Sequence, residues 1–201
     1  VFSAVGFLSH YGTIMTHRVR LIAAAVALAT LPVVAQAQDD QFKVGSKVVN
    51  VGILVAGDAL GGIGIGGGLE VGVARIADVV TLGVGGSIGY LHKSYGGYLT
   101  SVYGYNINVI PVLGFVHGHY QLKEVPKLDL FAGPAVGIAR SSYSFDGDAA
   151  YYNRYFTSST DVAIGIQAGA RYELTSAIVG SLQVSGGSNL PWINAGVAFK
   201  F

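Results

Sequence analysis

Residues Val162–Tyr172 read Val-Ala-Ile-Gly-Ile-Gln-Ala-Gly-Ala-Arg-Tyr, and this stretch decides the type of secondary structure. The even positions carry Val162, Ile164, Ile166, Ala168, Ala170 and Tyr172, and the odd ones Ala163, Gly165, Gln167, Gly169 and Arg171. Side chains that alternate with a period of two stand on opposite faces of a strand, so the pattern predicts β structure and excludes a helix. The same alternation runs through 63–73, 80–90 and 128–138. In each, one face is mostly branched and the other mostly small: Gly64, Gly66 and Gly68 with Glu70, then Gly83, Gly85 and Ser87, then Gly133, Ala135 and Gly137.

The small face sets the environment. A soluble sandwich would turn lysine, glutamate and threonine toward water, whereas here the second face is glycine, alanine and serine with an occasional charge. Charged residues are only 11% of the chain, against about 25% in soluble domains. Small residues suit the interior of a narrow barrel, where opposite walls share little space. Glycine weakens a strand, so its abundance there needs such a packing reason. The branched face then meets something apolar.

Composition removes other classes. The chain has 201 residues, a net charge of +1, 30 glycines and no cysteine. The apolar content excludes disorder. The missing cysteine excludes a disulfide framework and cysteine-based zinc. The near-neutral charge argues against a nucleic-acid binder, and no cofactor is implied.

The amino terminus supplies a destination. Met15 precedes a positive segment containing Arg18 and Arg20, then the uncharged run Leu21 to Ala35, then Ala35-Gln36-Ala37. This is the layout of a secretory signal peptide over 15–37, with Ala35 and Ala37 as the small residues of the cleavage site. The apolar run, broken by Pro32, is too short for a spanning helix. Residues 1–14 are expected to lie ahead of the true translation start. After residue 37 no apolar run is long enough for a helix to cross a bilayer, and the remaining 38–201 form the predicted barrel domain. For an exported chain of bacterial type, the apolar surroundings are outer-membrane lipid.

Eight segments alternate: about 47–57, 62–75, 79–93, 107–121, 127–141, 160–173, 176–185 and 192–201. An even number suits a closed antiparallel up-and-down barrel with both ends on one side. The connections near 77–78, 123–127 and 173–176 are short, while 94–106 and 142–159 are long, as at the periplasmic and outer rims of such barrels. The connections at 58–61 and 186–191 are shorter than outer loops usually are.

The chain closes with Asn194-Ala195-Gly196-Val197-Ala198-Phe199-Lys200-Phe201, with Ile193, Ala195, Val197, Phe199 and Phe201 on one face. Here it resembles the small eight-stranded outer-membrane β-barrel proteins, the OmpA-transmembrane and OmpX-like group. The resemblance implies that Asn194, Gly196, Phe199 and Phe201 are read by the barrel-assembly machinery. It also implies an outer-membrane location among lipid and lipopolysaccharide, as a monomer. Unlike OmpA itself, the sequence stops at the last strand, so a cell-wall tether is not expected.

Several motifs are weighed against plainer readings. Gly62-Ile63-Gly64-Ile65-Gly66-Gly67 fits a dinucleotide fingerprint, but strand alternation continues where a helix should open. His117-Gly118-His119 puts two imidazoles on one face without a visible third ligand, so the expectation is interfacial histidines and no metal. Asp146-Gly147-Asp148 lacks the further ligands of a calcium loop and fits a turn.

Glu70, Gln167, Arg171, Gln183 and Lys200 fall on the small faces and are expected to meet in the lumen as a polar network, Glu70 offset by Arg171 or Lys200. Eight strands enclose room for side chains only, so a narrow solute channel is the alternative rather than the first reading. Tyr95, Tyr98, Tyr151, Tyr152 and Tyr155 crowd the long connections. They read as an aromatic girdle or as a surface that contacts a host or other external ligand, in an adhesion-like role. Some barrels of this size modify lipid A through a histidine and a serine at the outer rim. His92 with Ser94 is the nearest pair, but no acid beside it in sequence orients the histidine, and no enzyme is expected.

Overall fold

The alternating faces close on themselves. The computed structural model describes residues 41–57, 62–76, 79–95, 104–145 and 158–201. The strands are β1 (Lys47–Ala56), β2 (Gly62–Ile76), β3 (Val80–Tyr95), β4 (Tyr105–Gln121), β5 (Leu128–Phe145), β6 (Ser159–Glu173), β7 (Ile178–Ser188) and β8 (Ile193–Lys200). Each pairs antiparallel with its neighbours in sequence. β1 also pairs with β8, from Val48↔Lys200 to Val55↔Ile193, which completes the ring. Closure leaves no unpaired sheet edge, a requirement for strands in lipid.

Register assigns every face. On β1, Val51, Ile53 and Val55 point outward while Val48 and Leu54 are buried inside. Ile65, Ile63 and Val162 stand 70%, 65% and 65% exposed, whereas Leu91 and Val109 inside are 0% exposed. Large apolar residues turned out on all strands form one continuous lipid-facing surface.

Four elements run at least two residues past the ends that the alternation predicts, β7 among them at Ser188. β3, β4 and β5 reach Tyr95, Tyr105 and Phe145, carrying strand into what reads in sequence as loop. Tyr95 pairs with Tyr105, and their rings stack with centroids 4.6 Å apart, so aromatic contact prolongs the ladder. Ser159 pairs with Ser141, so β5 rises beyond β6, and Ile63 pairs with His92, so β3 rises beyond β2. The wall is therefore tall over β3–β5 and low over β7, β8, β1 and β2. At the low side, Asn189 adopts a left-handed backbone (φ 57°) and its Nδ2 donates to Val162 O at 2.9 Å.

The end carrying the short turns is floored by residues 41–46. Gln41 N donates to Gln121 Oε1 and Gln41 Nε2 to Pro126 O, each at 2.9 Å. At a bulge between Gly72 and Ala74, Gly72 exchanges hydrogen bonds with Gly45 and Ser46. Phe42, 4% exposed, thereby enters the lumen from below.

Replacing Ile166, which lies outward near the middle of β6, by arginine is expected to cost about 2–4 kcal/mol at bilayer depth. Chemical unfolding from phospholipid vesicles measures it, and an unchanged stability would mean that this face does not contact hydrocarbon.

Candidate functional site

The inward positions nearest the floored end hold the chemistry. Alternation turns Glu70 of β2, His117 and His119 of β4, Asp129 of β5, and Gln167 and Arg171 of β6 into the lumen, all buried. A lone carboxylate there would cost several kcal/mol, order of magnitude, so it must be matched. Glu70 has three partners: Arg171 Nη2 donates to its Oε2 at 2.5 Å, and its Oε1 lies 3.0 Å from His117 Nδ1 and 2.8 Å from His119 Nε2. Beyond these, His119 Nδ1 meets Asp129 Oδ2 at 2.8 Å and His117 Nε2 meets Gln167 Oε1 at 3.1 Å.

Aromatic rings seal the cluster. Phe42 stacks on His119 with centroids 3.9 Å apart, and Phe115 on His117 at 4.3 Å. The Arg171 guanidinium lies 4.7 Å from the Phe131 ring centre, while its Nε and Nη1 have no hydrogen-bond partner among the described residues. The facing glycines make room. A Cβ on Gly83 would strike the Glu70 carboxylate, on Gly85 the Phe115 ring, and on Gly169 the Phe131 ring. The small faces are thus the counterpart of a few large side chains that cross the lumen.

Of the polar residues expected inside, Glu70, Gln167 and Arg171 come together, whereas Lys200 does not join them. Its Nζ donates to Glu173 Oε2 at 2.6 Å nearer the rim. Gln183, Gln167 and Asn194 line a cavity of about 20 Å³ in the middle of the barrel, room for about one water. Above it Leu54, Leu91, Ile107, Val109 and Ala139 fill the lumen, with Tyr95, Tyr105 and Tyr143 packed against them. The histidine pair needs correction: His117 and His119 are not interfacial but lumenal, 1% and 3% exposed. The third group missing from their neighbourhood in sequence is Glu70, brought across from β2.

At the carboxyl end Gly196 pairs with Gly52 and has no room for a Cβ, while Phe199 and Phe201 stand outward, 40% and 79% exposed. Tyr98, Tyr151, Tyr152, Tyr155 and Asp146-Gly147-Asp148 lie outside the described residues. On the outward face near the tall rim, His92 Nδ1 is 2.7 Å from Asn108 Oδ1 and His92 Nε2 is 3.0 Å from Ser94 Oγ. The histidine is therefore oriented, by an amide rather than an acid. Ser94 Oγ donates its one proton to Asn106 Oδ1 at 2.6 Å and not to the histidine that would have to accept it for attack.

Glu70→Ala would leave Arg171 buried without its carboxylate, and a loss of about 3–5 kcal/mol is expected. Denaturant unfolding in detergent checks it, with Lys200→Ala, outside the cluster, expected to cost far less.

No family model and no curated protein sequence matches the chain. Among solved structures, Ail, the attachment invasion locus protein of Yersinia pestis, superposes with a TM-score of 0.50 at 14% identity over 79% of this chain and 99% of that one. Ail in complex with the heparin analogue sucrose octasulfate gives 0.50 at 12% over the same shares. Neisserial surface protein A matches with a TM-score of 0.38 and 15% identity, over 78% and 94%. Together with the closed ring and its outward apolar surface, the likeness to Ail gives this chain the fold of the small eight-stranded outer-membrane β-barrels.

Proposed function

We propose that residues 38–201, after loss of a signal peptide at Ala35-Gln36-Ala37, form an integral outer-membrane barrel with a structural or surface-interaction role and no catalytic one. The observation that carries this is the filled lumen. Among the described residues, polar and aromatic side chains close its lower half and apolar ones its upper half, with a cavity of about 20 Å³ between them. A solute path is thereby disfavoured, and the surface left for a partner is the outer rim. The connections that follow β3 and β5 in sequence carry tyrosines 98, 151, 152 and 155, the large, rigid, amphipathic side chains typical of binding loops.

The character of the partner follows from charge. Ail has been seen with a heparin analogue. Here the outer connections and strand ends carry Lys93, Arg140 and Arg154 against Asp58, Asp146, Asp148 and Asp161, so a polysulfated ligand finds no basic field. A protein or neutral glycan surface on the host side fits better. At the base, the terminal strand with Asn194, Gly196, Phe199 and Phe201 would serve the assembly machinery.

Cells displaying the full chain are expected to adhere to immobilised extracellular matrix but not to heparin-coated surfaces. A Tyr151→Ala, Tyr152→Ala variant should lose at least half of that adhesion while keeping the heat-dependent gel mobility of a folded barrel. Undiminished adhesion would remove the surface role. Planar bilayer recording is expected to show no discrete steps, and lipid A mass should be identical with and without His92→Ala. Steps, or a mass difference, would reinstate the channel or the enzyme.

A further inference from the structure

The two lumenal histidines make four nitrogen–oxygen contacts and, as neutral rings, bring only two hydrogens to fill them. A neutral imidazole carries one N–H and one bare nitrogen. His119 has Asp129 Oδ2 on one side and Glu70 Oε1 on the other, and His117 has Gln167 Oε1 and Glu70 Oε1. When His119 Nδ1–H is donated to Asp129 and His117 Nε2–H to Gln167, the bare nitrogens of both rings turn onto the same carboxylate oxygen. Three lone-pair atoms then converge on one point, a repulsion that either extra protons on the rings or a metal ion between them relieves.

We propose that this point binds a divalent transition-metal ion that favours imidazole, zinc above all, through Glu70 Oε1, His117 Nδ1 and His119 Nε2. The three atoms lie within 4.8 Å of one another and all three residues are buried. Two of the three separations are 3.0 and 2.8 Å. Tetrahedral zinc with bonds of about 2.0–2.1 Å spaces its ligands by roughly 3.4 Å. Those contacts need only open by about half an ångström around the ion, on the same geometry. The surroundings are those of a supported site. Asp129 accepts from the far nitrogen of His119, the carboxylate–histidine arrangement that orients a ligand and strengthens it. Gln167 does the same for His117, and Arg171 holds the second oxygen of Glu70. With both rings neutral, Glu70 and Asp129 against Arg171 leave the cluster one net negative charge, which favours a cation and which an ion of charge two turns to one net positive. Phe42 over His119 and Phe115 over His117 wall the site on two sides, and a water completes the four ligands of the ion. The ion ties β2 to β4 across the lumen and is structural, whatever the outer loops contact.

The test uses the untagged full chain, folded in detergent, stripped with a chelator and titrated with Zn²⁺ by calorimetry and with Co²⁺ by visible absorption. One ion per barrel is expected, with the intense bands of four-coordinate cobalt. His117→Gln and His119→Gln should each weaken binding at least tenfold, and Asp129→Asn by about 10–100-fold. His92→Ala, which removes the histidine at the rim, should change nothing. Absence of stoichiometric uptake by the folded chain, or undiminished affinity in both glutamine variants, overturns the proposal. If His119→Gln does not fold, His117→Gln and the wild-type cobalt spectrum still decide, because a spectrum without four-coordinate bands also overturns it.

Discussion

A bilayer interior offers a backbone amide nothing to bond with, and the rest of this structure answers to that fact. Each strand must find its partners in other strands, so the last one has to meet the first, as Val48↔Lys200 through Val55↔Ile193 does. Closure divides every strand into a face toward lipid and a face toward the lumen, and the two faces carry different tasks. Below the polar group around His92, outward residues are mostly large and apolar. Inward residues carry the specific packing, because a narrow ring brings opposite walls within reach of one another.

Within that narrow space the side chains are sorted by height. Near the short turns, charge and aromatic rings form a hydrogen-bonded block. At mid-height the walls are nearly bare, and toward the outer rim the filling is aliphatic. Charge at the base is compatible with the fold because it is matched locally, Glu70 by Arg171 and the histidines, and Lys200 by Glu173. Glycines on the neighbouring strands are what lets these long side chains lie across the axis, so the residues that weaken the strands individually permit the cluster that holds them together.

Most of the architecture was legible from alternation, since a period of two fixes which face each residue occupies once one face is known to be apolar. Glu70, Gln167 and Arg171 could be placed inside for that reason. Arg171 was one of the two partners expected for Glu70, but the choice between it and Lys200 could not be made, because alternation is silent about height along the axis. Register puts Lys200 opposite Val48, low on the ring, where Glu173 is within its reach. The histidines show the same blindness in another form. Their spacing put them on one face, and the parity of β4 would have sent that face inward, but the group that completes them, Glu70, lies 47 residues away from His117 on another strand. Strand length was misjudged where tyrosines stand in strand rather than loop, as at Tyr95 and Tyr105.

The uneven height of the wall gives the barrel a front and a back. β5 runs for 18 residues and β8 for 8, a difference of roughly 30 Å of extended chain at about 3.3–3.4 Å per residue. A visitor gliding along the cell surface therefore meets a screen from one direction and a threshold from the other. From the low side it faces the concave inner surface of the screen, where Tyr95, Tyr105 and Tyr143 sit. Approach becomes a matter of compass bearing, and neighbours crowding the threshold would shut off that inner surface without touching it.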